Sequence, residues 1–386
     1  MKEMKKKKMA FIDLTNFKDW PMGGMLEYEL AILKYLVKAF DIDIWGVSVD
    51  GKMNRDILLD GVEYPIHIFG NVKTSKRIIP NYWRGLELKK CKKIFSKDYD
   101  VVYAHTGSCL IAAEKLVDRK KTKLVYHQHG LNHRVDFSLM SLVQRPGLSM
   151  AQKVADLVFV VSDPDSVADF AGEMKNKTRA KFVAIGSPIN LDRFSEKEMI
   201  DKIKSHSGMP TKNFLYTGRL SAFKNVKTLI DAMRLYVDNV NSDAVLKIAG
   251  TGDQFDNLCK QIKELHLEKN VKMLGAVPHE QVYSLLQDAD VFLTASGGEG
   301  VSVSVLEAYA AGLPVVCFKV PGLEGQIKNG ITGFFAAEPI VEDFYNAMVK
   351  VNEDRTGLAM NCVVEAKKYD SSIIAGRIRN AINELY

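Results

Sequence analysis

The sequence predicts an α/β protein built from two doubly wound, Rossmann-like domains. Short apolar runs of strand character alternate with segments of helical spacing along most of the 386 residues. This alternation is typical of βαβ units and parallel sheets. A polar, charged stretch over residues 190–212, which contains Gly208 and Pro210, interrupts the series and predicts a linker. A chain about twice the usual domain length also favours two domains.

The predicted elements fall into two series. Strands are predicted at residues 9–14, 44–49, 101–105, 123–129, 157–162 and 181–186 before the interruption, and at 213–217, 244–250, 271–275, 291–295 and 314–318 after it. Segments 28–40, 225–240, 280–287, 304–311 and 371–386 are predicted to be helical. Ligands of such sheets bind beyond the carboxyl ends of the strands, so the turns that follow each strand are where site residues are expected.

Composition excludes several classes of protein. Hydrophobic residues make up 47% and charged residues 26%, as in ordinary globular proteins, and no apolar run reaches the roughly 18 residues that span a bilayer. The lysine-rich start is followed by an apolar run that Asp13 breaks, too short for a signal peptide, so a cytoplasmic protein is expected. Five scattered cysteines predict reduced thiols instead of disulfides.

Positive charge is concentrated in the first part of the chain. Residues 1–210 hold 35 Lys and Arg against 26 Asp and Glu, which suggests an anionic partner or surface. Residues 73–97 carry nine of these basic residues and the single acidic residue Glu87. One interpretation is a solvated helix whose apolar side, Trp83, Leu86 and Ile94, faces its own core. The other is a basic face that docks on an anionic membrane. Nucleic acid is not expected as a partner.

A strand, a glycine turn and a helix follow one another around residues 295–312, which read ASGGEGVSVSVLEAYAAG. Such a segment can be a plain βα connection, or an anion site in which the first N–H groups of the helix face a ligand. Two carboxylates, Glu299 in the turn and Glu307 about two turns into the helix, flank the helix start. Both side chains can therefore contact one ligand, Glu299 from the turn and Glu307 from the helix.

A second segment, YTGRLSAFKN over residues 216–225, also runs from a strand into a turn and a helix start. A single surface Arg or Lys is usually only a solvated charge. Here Arg219 offers a planar fork and Lys224 a point charge on one strand-end loop, a combination suited to a diphosphate. The turn Gly250-Thr-Gly252 follows the next predicted strand.

These motifs resemble those of retaining glycosyltransferases of family 4, which belong to the glycosyl transferases group 1 and have the GT-B fold. The Glu299–Glu307 spacing matches the E-x7-E motif, and residues 218–224 match G-R-x-x-x-x-K. Asn225 stands where the family usually has glycine, and Val301 and Ser302 stand where it has Phe-Gly. The resemblance implies two domains facing each other across a cleft. They are an acceptor-side domain over 1–190, completed by helix 371–386, and a nucleotide-sugar domain over 191–370.

The resemblance also implies roles for individual residues. Arg219 and Lys224 would bind the donor diphosphate, Glu299 the transferred sugar and Glu307 the ribose. The further positions expected at the donor are Gly23, Gly24, Gly300, Val301 and Ser302. A histidine of the family lies against the transferred sugar; His129 matches it, with His127 as the alternative and His105 as a wall residue.

The expected function is a retaining hexosyltransferase that moves a sugar from a nucleoside-diphosphate sugar to a glycan or lipid-linked acceptor hydroxyl, in cell-surface polysaccharide or glycolipid assembly. No cofactor or metal is expected, because cations would serve the leaving group and His127 and His129 lack a third ligand nearby in sequence. The location would be the cytoplasm, possibly the inner face of the cell membrane. The alternatives are a sugar-nucleotide epimerase and a non-catalytic nucleotide-sugar-binding partner subunit.

Overall fold

A computed structural model describes residues 6–18, 20, 24–52, 54–72, 81–95, 98–131, 139–299 and 301–386. The chain divides into two compact units. The first comprises residues 1–188 together with 371–386, and the second comprises residues 189–370.

The first unit alternates strands and helices. Its elements in chain order are β1 (Lys8–Ile12), α1 (Gly24–Ala39), β2 (Asp41–Ser48), β3 (Asn54–Leu59), β4 (Val62–Asn71), a 3-10 helix (Asn81–Cys91), β5 (Val101–Ala104), α2 (Gly107–Glu114), β6 (Lys123–Gln128), α3 (Leu139–Val154), β7 (Leu157–Val161), α4 (Pro164–Met174) and β8 (Lys181–Ile185). Strands β5 and β7 are apolar runs buried along their whole length, as expected for parallel strands covered on both faces.

The sheet of the first unit has the order β3-β4-β2-β1-β5-β6-β7-β8 among the described residues. Strand β1 pairs in parallel with both β2 and β5, so the strand order reverses there. The expectation of a purely parallel sheet is wrong at one edge, where β3 pairs antiparallel with β4. A two-residue turn joins them, and Asp60 and Gly61 both have positive φ, 54° and 80°. An Asp-Gly pair between apolar runs is a strong hairpin signal, which the prediction missed.

The second unit contains a short 3-10 helix (Leu191–Arg193), α5 (Glu196–Ser205), β9 (Asn213–Thr217), a 3-10 turn (Ala222–Lys224), α6 (Val226–Asn239), β10 (Val245–Ala249), α7 (Phe255–Glu264), β11 (Val271–Gly275), α8 (His279–Asp288), β12 (Val291–Thr294), α9 (Val303–Ala310), β13 (Val315–Phe318), α10 (Leu323–Gln326), β14 (Gly333–Ala336), α11 (Val341–Lys350), a 3-10 turn (Val351–Glu353), α12 (Arg355–Ala366) and a last 3-10 turn (Lys367–Tyr369). Strand β14 was not predicted.

The sheet of the second unit is parallel and has the order β11-β10-β9-β12-β13-β14 among the described residues. Counted from β9, this is the order 3-2-1-4-5-6 of dinucleotide-binding folds. The order reverses between β9 and β12, and ligands of such sheets bind beyond the carboxyl ends of the strands at this point. The turns after β9 and β12 are therefore the positions to examine.

The predicted linker over residues 190–212 is wrong, because α5 occupies it and belongs to the second unit. Lys202 Nζ on α5 donates hydrogen bonds to the backbone carbonyls of Gln287 and Ala289. His206 Nδ1 lies 2.9 Å from Oδ1 of the buried Asp290. The polar composition that predicted a linker reflects a surface helix tied down by such contacts.

The last helix, α13 (Ser371–Asn383), packs in the first unit. Lys7 Nζ donates a 2.9 Å hydrogen bond to Asn383 Oδ1, and Tyr386 Oη donates one of 2.5 Å to the backbone carbonyl of Asp100. Lys181 and Glu384 form an exposed ion pair at 2.7 Å. These contacts hold the end of the chain beside β1 and β8.

Candidate functional site

Two backbone hydrogen bonds join the turn after β9 to the end of β10 and the turn that follows it. The Gly218 amide donates to the Ala249 carbonyl at 3.0 Å, and the Leu220 amide donates to the Thr251 carbonyl at 2.9 Å. A Cβ at Gly250 would lie 1.8 Å from the Gly218 carbonyl oxygen, so only glycine fits there. This close backbone contact fixes the loop that carries Arg219, whose side chain is exposed.

Asn225, which stands where the family usually has glycine, adopts a backbone conformation that favours glycine. Asn225 has φ 47° and ψ 41°, in the left-handed region. Asparagine is among the few residues other than glycine that visit this region at modest cost. The sharp bend between the 3-10 turn and α6 is thereby kept, and Lys224 stays at the strand-end loop.

Lys224 and Glu299 are brought together from the two strands at the reversal point. Lys224 Nζ donates a hydrogen bond to Glu299 Oε1, and their side chains are only 26% and 14% exposed. The backbone reinforces this contact, because the Gly297 amide donates to the Phe223 carbonyl at 3.0 Å and the Glu299 amide donates to the Pro321 carbonyl at 3.1 Å. A partly buried cation and carboxylate therefore share one place beyond the sheet.

Tyr216 supports the loop that carries Arg219. It is buried, and its hydroxyl donates to the Arg219 carbonyl at 3.0 Å. Burial, and then the charge of Glu299, raise the pKa of Tyr216. The phenol therefore remains a neutral donor that shapes the loop.

The start of α9 is held by a buried glutamine. Gln326 Oε1 accepts from the Ser302 amide at 2.7 Å, and Gln326 Nε2 donates to the Ser302 carbonyl at 3.1 Å. The Ser302 amide is therefore engaged, so a contact of Ser302 with a ligand would use its hydroxyl, which lies 3.0 Å from Ser304 Oγ. Val301 is half-buried against the core, and Glu307 on α9 is 9% exposed. Gly300 lies outside the described residues.

Four Asp-x-Asp spacings occur in the chain, at residues 41–43, 98–100, 163–165 and 288–290. Their carboxylates have structural partners: Asp43 accepts from Tyr99 Oη at 2.6 Å, and Asp100 accepts from the Lys8 amide at 2.7 Å. Asp163 caps α4 by accepting from the Ser166 amide at 2.8 Å, and Asp290 accepts from the Asn213 amide at 2.8 Å. None of the four pairs follows β9 or β12 directly.

In the first unit, a polar cluster lies at the corresponding place. Asp13 follows β1, His105 follows β5 and His129 follows β6, while His127 belongs to β6 and Glu29 comes from α1. We call these five residues the histidine–carboxylate cluster. His129 is partly exposed and the other four are buried. Gly23 lies outside the described residues, and Gly24 begins α1.

Burial dominates the electrostatics of this cluster. It lowers the pKa of His105 and His127 well below the usual range, with smaller effects of neighbouring histidines, and lowers that of His129 to about 4. Burial, and then the charge of Asp13, raise the pKa of Glu29 well above its usual value. The three imidazoles are therefore neutral at physiological pH, and Glu29 favours its protonated form unless a cation is nearby.

The sequence argument against a metal was wrong in one respect. It held that His127 and His129 have no third ligand nearby, but His105 lies beside them. Strands β5 and β6 pair in parallel, and ligand nitrogens of the three histidines lie within 4.8 Å of one another. Sequence separation concealed this contact, as well as the roles of Asp13 and Glu29. The position of each of these residues just after a predicted strand, or early in a helix, was the available signal.

Part of the sequence, and the fold, are similar to those of known proteins. Residues 197–369 match the family model described as Glycosyl transferases group 1. This segment is similar to the glycosyl transferases group 1. The resemblance to that group predicted from the sequence is thereby confirmed, while the narrower assignment to family 4 stays a prediction.

Solved structures share the fold of this chain. HepE from Anabaena, in complex with UDP and glucose, has a TM-score of 0.71 at 22% identity, over 98% of this chain and 100% of that one. Sucrose-phosphate synthase from Thermosynechococcus elongatus has a TM-score of 0.72 at 18% identity, over 98% and 99%. Such likeness confirms the predicted GT-B class, with two Rossmann-like sheets.

Curated relatives of this chain include two bacterial enzymes. The UDP-Gal:alpha-D-GlcNAc-diphosphoundecaprenol alpha-1,3-galactosyltransferase of Escherichia coli is 27% identical over 53% of this chain and 54% of its own length. The N-acetyl-alpha-D-glucosaminyl L-malate synthase of Bacillus anthracis is 26% identical over 70% and 71%. The chain thus aligns with about half the length of the first relative. Among the described residues, no helix is both long and apolar enough to cross a membrane.

Proposed function

We propose that this protein is a retaining glycosyltransferase, of the family 4 kind, that moves a sugar from a nucleoside-diphosphate sugar to an acceptor hydroxyl. The observation that carries the proposal is the contact between Lys224 and Glu299, which joins the turns after β9 and β12 at the point where the strand order reverses. Residues 191–370 would hold the donor, and residues 1–190 with 371–386 the acceptor.

The cations would act on the leaving group. Breaking the glycosidic bond places charge on the departing diphosphate, and Arg219, Lys224 and the start of α9 supply fixed positive potential where that charge grows. Losing one such donor costs about 3–4 kcal/mol, or two to three orders of magnitude in rate. Since the carboxylates of the Asp-x-Asp pairs serve structural contacts, we infer that the leaving group needs no divalent metal.

The carboxylates would position the donor. Glu299 would accept hydrogen bonds from the transferred sugar and stabilise positive charge at its anomeric carbon, and Glu307 would bind the ribose. Without donor, Glu299 holds Lys224 by a hydrogen bond. We infer that donor binding divides the pair, with Lys224 turning to the phosphate and Glu299 to the sugar hydroxyls.

In the first unit, His129 would face the transferred sugar. It is the partly exposed member of the histidine–carboxylate cluster, and it follows β6 at the carboxyl edge of the sheet. Its low pKa keeps the imidazole neutral, so it would act as a hydrogen-bond partner and not as a cation. Gly23 and Gly24 would let the chain approach the diphosphate.

The acceptor would be a glycan or a lipid-linked glycan used in cell-surface polysaccharide or glycolipid assembly. In support, the E. coli relative is named for transfer to a diphosphoundecaprenol acceptor. The surface of the first unit adds a second reason. Lys89, Lys90, Lys92 and Lys93 are exposed around Ile94, which is 67% exposed. This lysine patch has the composition of a surface that binds anionic lipid, at the inner face of the membrane.

Two other functions are separated by assay. A sugar-nucleotide epimerase would change the donor without an acceptor, and a non-catalytic partner subunit would bind donor without turnover. We would first screen sugar nucleotides by thermal shift, because a ligand at 100 times its dissociation constant adds about 2.7 kcal/mol of stability. The donor so identified would then be incubated with acceptor mixtures, and the anomeric configuration of the product read by NMR. An inverted product, or binding without transfer to any acceptor, would contradict the proposal.

A further inference from the structure

The histidine–carboxylate cluster contains more polar atoms than its own contacts satisfy. Within the described chain, five of its buried side-chain atoms lack a hydrogen-bond partner: Asp13 Oδ2, both carboxylate oxygens of Glu29, His105 Nε2 and His127 Nε2. Nearly all buried polar atoms of native proteins are paired. A proton shared between Asp13 and Glu29 would satisfy the carboxylate oxygens, whereas His105 Nε2 and His127 Nε2 would still need a ligand.

The atoms that are paired show where a ligand would fit. His105 Nδ1 lies 3.0 Å from His129 Nε2 and 3.6 Å from Glu29 Oε1. The Tyr103 hydroxyl contacts His127 Nδ1, so the other nitrogen of His127 is the one left free. Thr106 Oγ1 donates to Asp13 Oδ1, which holds this carboxylate beside Glu29. Three imidazoles and a carboxylate thus meet in a small buried volume.

We propose that the cluster binds one divalent transition-metal ion, Zn²⁺ above all, through the imidazoles of His105, His127 and His129, with Glu29 supplying negative charge beside it. Neutral imidazole is the ligand that zinc and its neighbours prefer, and three protein ligands with a carboxylate nearby form a common zinc environment. A hard ion such as Mg²⁺ prefers oxygen ligands and fits this set poorly.

Charge favours the same ligand. A carboxylate buried without a cation is costly, so Glu29 must take either a proton or a positive partner. A metal ion would supply the positive charge and use the free lone pairs of the imidazoles at the same time.

Binding requires a rearrangement of the rings. Nitrogens on one tetrahedral zinc ion lie about 3.3 Å apart, given Zn–N bonds of about 2.0–2.1 Å, and the three nitrogens already lie within 4.8 Å of one another. The rings of His105 and His127 are stacked, with centroids 4.5 Å apart and planes 7° apart, so at least one of them must turn before both direct a lone pair at one ion. His129 is partly exposed and gives the ion access.

Such an ion would act mainly on stability. It would join α1 through Glu29 to the ends of β5 and β6, which are distant in sequence. The inference does not rest on the proposed transferase activity, because His129 is the only one of the three ligands given a role there and the readouts are metal binding and unfolding temperature. Metal at this place would stabilise the first unit whatever reaction the protein performs.

The test uses the full chain without a histidine tag, since a tag would bind the same ions. After dialysis against a chelator and then metal-free buffer, Zn²⁺ is titrated by calorimetry and Co²⁺ by visible absorption. The proposal predicts close to one ion per chain, the intense absorption of a tetrahedral cobalt site, and a rise in the unfolding temperature. Mg²⁺ should produce none of these effects.

Variants identify the ligands. His105→Gln and His127→Gln should each abolish the cobalt spectrum, and Glu29→Gln, which alters a neighbour of the ligands, should weaken binding by about 10–100-fold. His67→Gln is the matched control, because His67 lies outside the cluster with 41% of its side chain exposed. It should bind as the native protein does.

Binding by the native protein decides the matter even if a variant fails to fold, which circular dichroism would reveal. Absence of stoichiometric Zn²⁺ and Co²⁺ binding would overturn the proposal and leave a protonated Glu29 among neutral histidines. Equal binding by the native protein and well-folded His105→Gln would overturn it too, because the metal would then sit elsewhere.

Discussion

Lys224 donates a hydrogen bond to Glu299 across the two strand ends where the sheet order of the second unit reverses. Neither residue is fully exposed, so each lowers the cost of partly burying the other. The pair keeps a cation and a carboxylate in place, and in the proposed function they would bind the two ends of a sugar diphosphate. This arrangement leads to the first prediction.

Arg219→Ala and Lys224→Ala should each lower turnover by two to three orders of magnitude while leaving the fold intact, since one lost leaving-group donor costs about 3–4 kcal/mol. Turnover is measured with the donor found in the thermal-shift screen. Lys227→Ala is the control, because Lys227 is an exposed lysine on the adjacent helix. If either site variant keeps more than about a tenth of the native rate, the assignment of that residue is wrong.

Substitutions at Asn225 test whether its left-handed backbone conformation matters for stability. Asn225→Gly should be close to neutral, whereas Asn225→Val should destabilise the fold by about 1–2 kcal/mol, because a β-branched residue is strained at φ 47°. Urea unfolding measures the difference. Equal stability of the glycine and valine variants would mean that the left-handed bend is not needed.

A substitution at Gln326 tests whether its hydrogen bonds to Ser302 hold the start of α9 at the proposed donor site. Gln326→Leu keeps the volume but removes both bonds to the Ser302 peptide, and leaving buried polar groups unpaired costs about 1–3 kcal/mol. Urea unfolding should show this loss, and donor affinity should fall because the start of α9 loosens. A variant that is destabilised but binds donor normally would make Gln326 structural only.

Short-range signals predicted where Arg219, Lys224 and Glu299 of the proposed donor site lie in the fold, and long-range pairing accounts for what was missed. Arg219, Lys224 and Glu299 each sit in a strand-turn-helix segment whose pattern is local, so the sequence placed them at strand ends. The grouping of Asp13, Glu29 and His105 depends on β1 pairing with β5 and on the docking of α1, contacts between residues far apart in the chain. No local pattern encodes such contacts.

The prediction of helices and strands shows the same difference between local and long-range signals. The strands of both parallel series were predicted because each is an apolar run between helical segments. The β3–β4 hairpin was missed although the Asp60-Gly61 pair is a sequence signal for such a turn. The polar helix α5 was predicted to be a linker because its composition resembles one. In α5 the contacts of Lys202 and His206, not apolar periodicity, hold the helix in place.

Metal dependence of turnover is the next prediction. In the proposed mechanism cations serve the leaving group, so added Mg²⁺ or Mn²⁺ should leave the rate unchanged, and a chelator should not abolish it in a way that these ions reverse. Steady-state turnover before and after chelation measures this. A complete loss restored by Mg²⁺ or Mn²⁺ would overturn the mechanism. A loss restored by Zn²⁺ alone would instead report on the histidine–carboxylate cluster.

The last prediction concerns the lysine patch on the first unit. Part of the interpretation as an ordinary surface helix agrees with the structure, since Trp83 Nε1 donates to the Val143 carbonyl at 3.2 Å and Leu86 packs against the core. Ile94 differs, because it is 67% exposed among the exposed lysines of the patch. Residues 73–80 and 96–97 lie outside the described residues.

We therefore expect the native protein to bind phosphatidylglycerol vesicles at low salt and not phosphatidylcholine vesicles, with binding that weakens as salt rises. Each lysine near an anionic surface contributes about 1 kcal/mol, so changing Lys89, Lys90, Lys92 and Lys93 to Glu should reduce vesicle affinity by at least two orders of magnitude. Co-sedimentation measures it. The charge-matched control changes four exposed lysines of the second unit, Lys260, Lys263, Lys269 and Lys272, and should bind as the native protein does. Equal binding by the patch variant and the native protein, or no binding by the native protein at low salt, would contradict membrane docking and favour a soluble acceptor.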